Sequence, residues 1–256
     1  GRLRSSLKHL ERTGQWDVGQ WMAAKDPDFF VHLGDVIYSH NQLPAYQEAF
    51  FRPFGPVLGR CPLVSLFGNH DLHDWEHPEF FRVFHTPKAL DPKKGYEDYS
   101  YSYVWGGVRF LVLDLYYQQW DQGSEMRSWL ETTLRNNREP RTIVLSHYPP
   151  FTEESAVKQR DNLVFQKIWP LLVKHKVSLV VGGNTHSYQR FKPVDGVTVV
   201  IAGTGGKSVR AVDRSGRLAH AEQRFGFLLV KVAGTRIEGE FWTGDAKPAD
   251  SFLVVE

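Results

Sequence analysis

The sequence predicts an α/β fold of mixed sheets covered by helices, and three observations carry that prediction. Short apolar runs alternate with stretches of helical spacing through most of the chain, and the tail from residue 225 reads as consecutive antiparallel strands. Aromatic residues make up 14% of the chain, which suits a core filled by large flat rings better than a helical bundle. At 256 residues the chain can bury a substantial core, and it is read as one domain over 1–256.

The elements follow in order. Residues 16–25 have helical spacing and stop at Asp26-Pro27-Asp28, and 29–33 is a nearly continuous apolar run of the kind a buried strand needs. A helix is predicted over 44–51 and a strand over 63–67. Residues 99–105 and 108–113 flank Gly106-Gly107, a hairpin turn signal. Residues 125–137 place Met126, Trp129, Leu130 and Leu134 on one helical side. Strands are predicted at 142–145, 177–181 and 197–202. A helix is predicted over 162–174, with a kink or boundary at Pro170. The tail over 225–256 should turn at Ala233-Gly234 and near Gly244-Asp245.

Charge and composition exclude several classes. Thirty-one basic residues against 29 acidic ones give a net charge of +2, so no strong field marks a nucleic-acid binder. No apolar run approaches the ~20 residues of a membrane span, and the N-terminus lacks the apolar core of a signal peptide. The single cysteine, Cys61, excludes an internal disulfide framework and a thiolate zinc cage.

The chemistry sits at strand ends. Gly34-Asp35 with Tyr38 follows the first apolar run, Gly68-Asn69-His70-Asp71 the second, Ser146-His147-Tyr148 the strand at 142–145, and Gly182-Gly183-Asn184-Thr185-His186 the strand at 177–181. Ligands of open α/β sheets bind at the carboxyl ends of strands. Oxygen and imidazole donors delivered together to one rim are the expected makings of a metal site for Zn, Mn or Fe. Alone, Asp35 reads as a turn residue, His147 as a satisfied core histidine and Asn69 as a cap; their joint placement does not.

With these motifs in this order, the chain resembles the calcineurin-like metallophosphoesterases. Tyr38, and Ser187-Tyr188-Gln189-Arg190 after the last motif, make it most similar to the purple acid phosphatase branch. The resemblance implies a sandwich of two mixed β-sheets flanked by helices. It also implies two metal ions (Fe, Zn or Mn) bridged by Asp35, with Tyr38 and His186 on the first and Asn69, His147 and residue 184 on the second. Hydrolysis of a small phosphomonoester by a metal-activated hydroxide would follow, with His70 assisting the leaving group. Tyr148, Tyr188 and Arg190 are the substrate-binding candidates, and export to a periplasmic, secreted or lysosomal compartment is implied by the resemblance alone.

The chain departs from the family pattern twice. The family opens with a strand ending in a ligating Asp, whereas here Asp17-Val18-Gly19 lies inside the predicted first helix; that strand is expected upstream of Gly1. Asn184 stands where the family has a histidine, so partial metal occupancy and low activity are expected. Two other readings stand beside the phosphoesterase: a catalytically degenerate homologue acting as a binding or interaction protein, and a nucleotide-binding module built on the Gly-rich turn at 201–208. The last lacks the glycine that a Walker A motif needs at Ile201. His40, His73, Asp74 and His77 read as solvent-exposed loop residues near the motifs.

Overall fold

The computed structural model describes residues 14–38, 43–71, 79–84, 99–157 and 161–254. His40, His73, Asp74 and His77 lie outside the described residues. The described elements run α1 (Gln15–Ala23), β1 (Phe30–Leu33), α2 (Leu43–Tyr46), a π-helical turn (Gln47–Phe51), α3 (Arg52–Leu58), β2 (Leu63–Leu66), α4 (Glu79–Val83), β3 (Tyr101–Trp105) and β4 (Val108–Leu113). They continue α5 (Glu125–Arg135), β5 (Arg141–Ser146), α6 (Leu163–Lys174), β6 (Leu179–Gly182), β7 (Tyr188–Phe191), β8 (Thr198–Ala202), β9 (Leu218–Glu222), β10 (Phe227–Ala233), β11 (Arg236–Trp242) and β12 (Asp250–Val254).

A seven-stranded sheet has the order β3-β4-β5-β6-β8-β7-β9. Its centre, β4-β5-β6-β8, is parallel, and β3, β7 and β9 pair antiparallel at its flanks. Strands of its centre are apolar on both faces, and alternation sorts their side chains. Leu111, Leu113, Val144 and Val180 face α5 and α6 in one core. Phe110, Val112, Ile143, Leu145 and Val181 face the opposite way, against Ile237, Phe241 and Val254 of the second layer. That layer comprises the parallel pair β1-β2 and the antiparallel β10-β11-β12. Its outer face buries Phe30, Phe50, Phe54, Phe67, Phe80 and Phe84 with α1, the π turn and α3. Aromatic rings do fill this core: Phe50 and Phe54 lie 5.4 Å apart and Phe80 and Phe84 4.8 Å apart. The result is a helix–sheet–sheet–helix sandwich.

Three local expectations change. The second helix runs on to Leu58, through Pro53 in the first turn of α3 behind the π-helical turn and through Pro56 inside α3. The helix carrying Pro170 continues to Lys174, since Pro170 and the residue it uncouples, Gln166, both face solvent. Short strands β7 and β9 are additional. Asp17 is an exposed residue inside α1. No helix among the described residues is long and apolar enough to cross a membrane.

Candidate metal centre

Four strand ends converge where the two sheets meet. Leu33 closes β1, and its carbonyl oxygen lies 2.7 Å from His147 Nδ1 at the end of β5, tying one sheet to the other. With Nδ1–H donating to that carbonyl, His147 presents its Nε2 lone pair, 3.4 Å from Asp35 Oδ1 and 3.3 Å from Asn69 Oδ1. On the other side Tyr38 Oη lies 3.2 Å from His186 Nε2, whose Nδ1 is 2.5 Å from Ser208 Oγ. Both histidines therefore spend Nδ1 on the protein and turn Nε2 inward.

The backbone is shaped for this approach. Gly34 and Asp35 both adopt left-handed conformations, φ 87° and 52°. A Cβ on Gly68 would collide with the Asp35 carboxylate and lie 2.6 Å from the His147 ring, so only glycine lets the two loops meet. Asp71, fully buried, accepts from Val36 N at 2.9 Å, Ile37 N at 3.3 Å and Gly68 N at 2.8 Å, welding the loop after β1 to the loop after β2. Burial pushes its carboxyl up to about 7. His70 N–H donates to Asp35 Oδ1 at 2.9 Å, and its ring lies 4.7 Å from that of Tyr38.

Electrostatics mark the same point. Burial works against the Asp35 carboxylate, yet the hydrogen bond and charge of His147 hold it below the ordinary carboxylate value. Burial works against protonated His147, and Asp35 more than offsets it, so His147 is raised. Each group thus favours the charged form of the other. His186 is lowered by burial and then by Arg210, which favours its neutral imidazole. Burial, followed by Asp35, raises the Tyr38 phenol, so a cation must displace its proton to bind there.

Among the described residues no three of His, Cys, Asp and Glu are grouped to hold a cation by themselves. The donor set depends on the Asn69 amide and the Tyr38 phenol. Asn184 and His186 line one cavity with Asp35, Tyr38 and His147. Asn184 has φ 53°, a left-handed conformation that asparagine tolerates well. Tyr148 stands beside the centre, its ring 5.2 Å from His147 and stacked on Tyr116 at 5.4 Å.

Tyr188 and Arg190 are corrected. Tyr188 is completely buried, stacked on Phe241 at 4.0 Å, and donates to Asp250 Oδ2 at 2.7 Å. Arg190 grips both Asp250 oxygens, at 2.7 and 2.9 Å. Alternation along β7 turns both residues into the space between the sheets, where they clamp β12, so neither is a substrate contact. The nucleotide-binding reading of the Gly-rich turn also fails: among the described residues no helix follows β8, and the Gly206 carbonyl, at φ 130°, accepts from Gly14 N at 3.0 Å. The turn instead brings Ser208 to His186 and the Lys207 ammonium to 4.7 Å over the Tyr38 ring. Sequence reasoning missed these two and Asp71 as site residues.

The family model for calcineurin-like phosphoesterase matches residues 5–188, and the chain belongs to that family. Within it, the similarities fall in the purple acid phosphatase branch. Probable purple acid phosphatase 20 of Arabidopsis thaliana is 26% identical over 203 residues, covering 76% of this chain and 45% of that protein. Probable inactive purple acid phosphatase 9 of the same plant is 24% identical over 198 residues, covering 64% of this chain and 30% of its own length. The chain therefore spans less than half of either relative. The structure of the yellow lupin (Lupinus luteus) purple acid phosphatase PPD1 covers 94% of this chain and 49% of its own, with a TM-score of 0.77 at 20% identity, a likeness of fold.

Proposed function

We propose that this chain is a metal-dependent phosphoesterase acting on small phosphomonoesters, and that its two cation sites share Asp35. The observation that carries the reading is the convergence of His147 Nε2, Asp35 Oδ1 and Asn69 Oδ1 within 3.4 Å, beside the Tyr38–His186 pair. Carboxylate, amide, phenol and imidazole donors suit Zn, Mn or Fe. Tyr38, His186 and Asp35 would hold one ion; Asp35, Asn69, His147 and Asn184 would hold the other. When bound, the ions supply charge neutralisation for the phosphoryl oxygens and a more acidic water.

The chain's own residues do the rest. Leu33 and Ser208 hold the two imidazoles by Nδ1, so that Nε2 keeps a fixed aim. Asp71 and the missing Cβ of Gly68 hold the loops against each other, limiting the freedom of Asp35 and Asn69. His70, half-buried beside Tyr38, delivers a proton to the departing oxygen. Tyr148 and Tyr116 form an aromatic wall for the substrate's organic part.

The amide at Asn184 favours weak loading, and a second reading rests on it: a degenerate homologue that binds without turning over. Turnover of p-nitrophenyl phosphate with added Zn²⁺, Mn²⁺ or Fe³⁺, lost on chelation, is the result expected of the enzyme. No turnover with any of these ions would leave the binding protein. Asn184→His should raise metal affinity and turnover together, because imidazole is a stronger donor than a neutral amide; histidine also tolerates the left-handed backbone there. Unchanged metal content in the variant would remove residue 184 from the ligand set.

A further inference from the structure

Two cationic side chains stand at the rim of the candidate metal centre, and neither can be a metal ligand. Lys207 lies on the turn after β8, exposed, and lines the same cavity as Asp35, Tyr38 and His186. Its ammonium sits 4.7 Å from the centre of the Tyr38 ring, and among the described residues no carboxylate pairs with it. An exposed contact of this kind is weak, so the ammonium is free to leave the ring for an anion. Arg210 stands three residues on. Its backbone N–H donates to His186 O at 2.7 Å, and one guanidinium nitrogen donates to Glu154 Oε1 at 2.9 Å. Glu154 is buried, and its other oxygen accepts from His186 N at 3.2 Å, so this carboxylate fixes the arginine beside the histidine. The Arg210 side chain is still 51% exposed, with guanidinium donors to spare. Its charge reaches the centre: after burial it is the largest influence lowering His186, and it opposes the rise of the Tyr38 phenol.

We infer that Lys207 and Arg210 form an anion subsite beside the metal centre, which receives a second phosphate or carboxylate of the substrate. The inference rests on the phosphoesterase reading and narrows its substrate class to small phosphomonoesters that carry another anionic group close to the ester. Opposing charge on this side is already committed. Asp35 belongs to the cations of the loaded centre, and Glu154 is satisfied by Arg210 and the His186 N–H. The exposed face of the turn is therefore positive. Its two cations differ usefully: lysine is a mobile point charge on a flexible stem, and arginine a planar fork that Glu154 holds in place. The Tyr148–Tyr116 wall stands instead at His147, so apolar contact and positive charge flank different halves of the centre. An ester such as p-nitrophenyl phosphate leaves both cations unused.

Binding, without turnover, tests the subsite. Phosphonoacetate carries a carboxylate beside its phosphonate, methylphosphonate lacks it, and neither has an ester to cleave. Titrated into the Zn²⁺-loaded chain in a calorimeter, phosphonoacetate should bind at least about tenfold more tightly than methylphosphonate, and the preference should shrink in high salt. Lys207→Gln should cut that preference by at least about fivefold, and Lys207→Arg, which keeps the charge, should retain most of it. A preference undiminished in Lys207→Gln, or absent from the wild type while methylphosphonate binds, would overturn the subsite and leave the metal centre standing. Failure of methylphosphonate itself to bind the loaded chain would remove the metal-centre reading, and the subsite with it.

Discussion

Replacing His147 by alanine should lower turnover of p-nitrophenyl phosphate and metal affinity by more than about 100-fold, because a lost ligand costs more than the roughly 10–100-fold of a lost ligand partner. His147 is the junction of the centre: Nδ1 is anchored on Leu33 in one sheet, and Nε2 faces Asp35 and Asn69 from the other. Its removal also reverses the electrostatics. Burial raises Asp35, and His147 is what holds it down. Without the imidazole, the carboxyl takes up a proton more readily and competes poorly for a cation. Metal content by elemental analysis and turnover by absorbance check the two effects separately. A variant that retains both would take His147 out of the site and leave it a satisfied core histidine.

The second large effect concerns stability. Asp250→Ala should destabilise the fold by about 3–5 kcal/mol, since it removes one partner of a buried ion pair and leaves the other charged. The Asp250 side chain is 6% exposed and accepts from Arg190 twice and from Tyr188 once. Burial alone would raise this carboxyl; the bonds from Arg190 and Tyr188 win and lower it. A folded pKa below the unfolded one contributes stability above about pH 4, and that contribution is lost as pH falls further. The gap between wild type and variant in urea unfolding should therefore be wide at neutral pH and narrow in acid. A gap below about 1 kcal/mol at neutral pH would show that Arg190 and Tyr188 find other partners.

The same clamp shows why part of the site was legible in the sequence and part was not. The strands at 142–145 and 177–181 are apolar on both faces, a pattern with one physical outcome, and glycine-punctuated polar residues after them can only lie at strand ends. His147 and His186 were legible as candidates for that reason, and Asp35 and Asn69 by the same glycine-punctuated position after the runs at 29–33 and 63–67. Tyr188 and Arg190 carry the same chemical signal as site residues, but their fate is set by Asp250, 60 or more residues along the chain. Alternation along a four-residue strand says that neighbours part ways without saying which way faces the ligand. Ser208 and Lys207 were hidden similarly: a glycine-rich turn reads as backbone geometry, and only folding brings it over Tyr38. The split second layer was invisible too, because β1 and β10 are separated by most of the chain.

The most direct test is a crystal of this protein soaked in Zn²⁺ or Mn²⁺ and measured for anomalous scattering. Density is expected between Asp35, Asn69 and His147, with a second feature between Asp35, Tyr38 and His186. Ions bound only elsewhere, or no bound ion at these side chains, would contradict the two-ion reading.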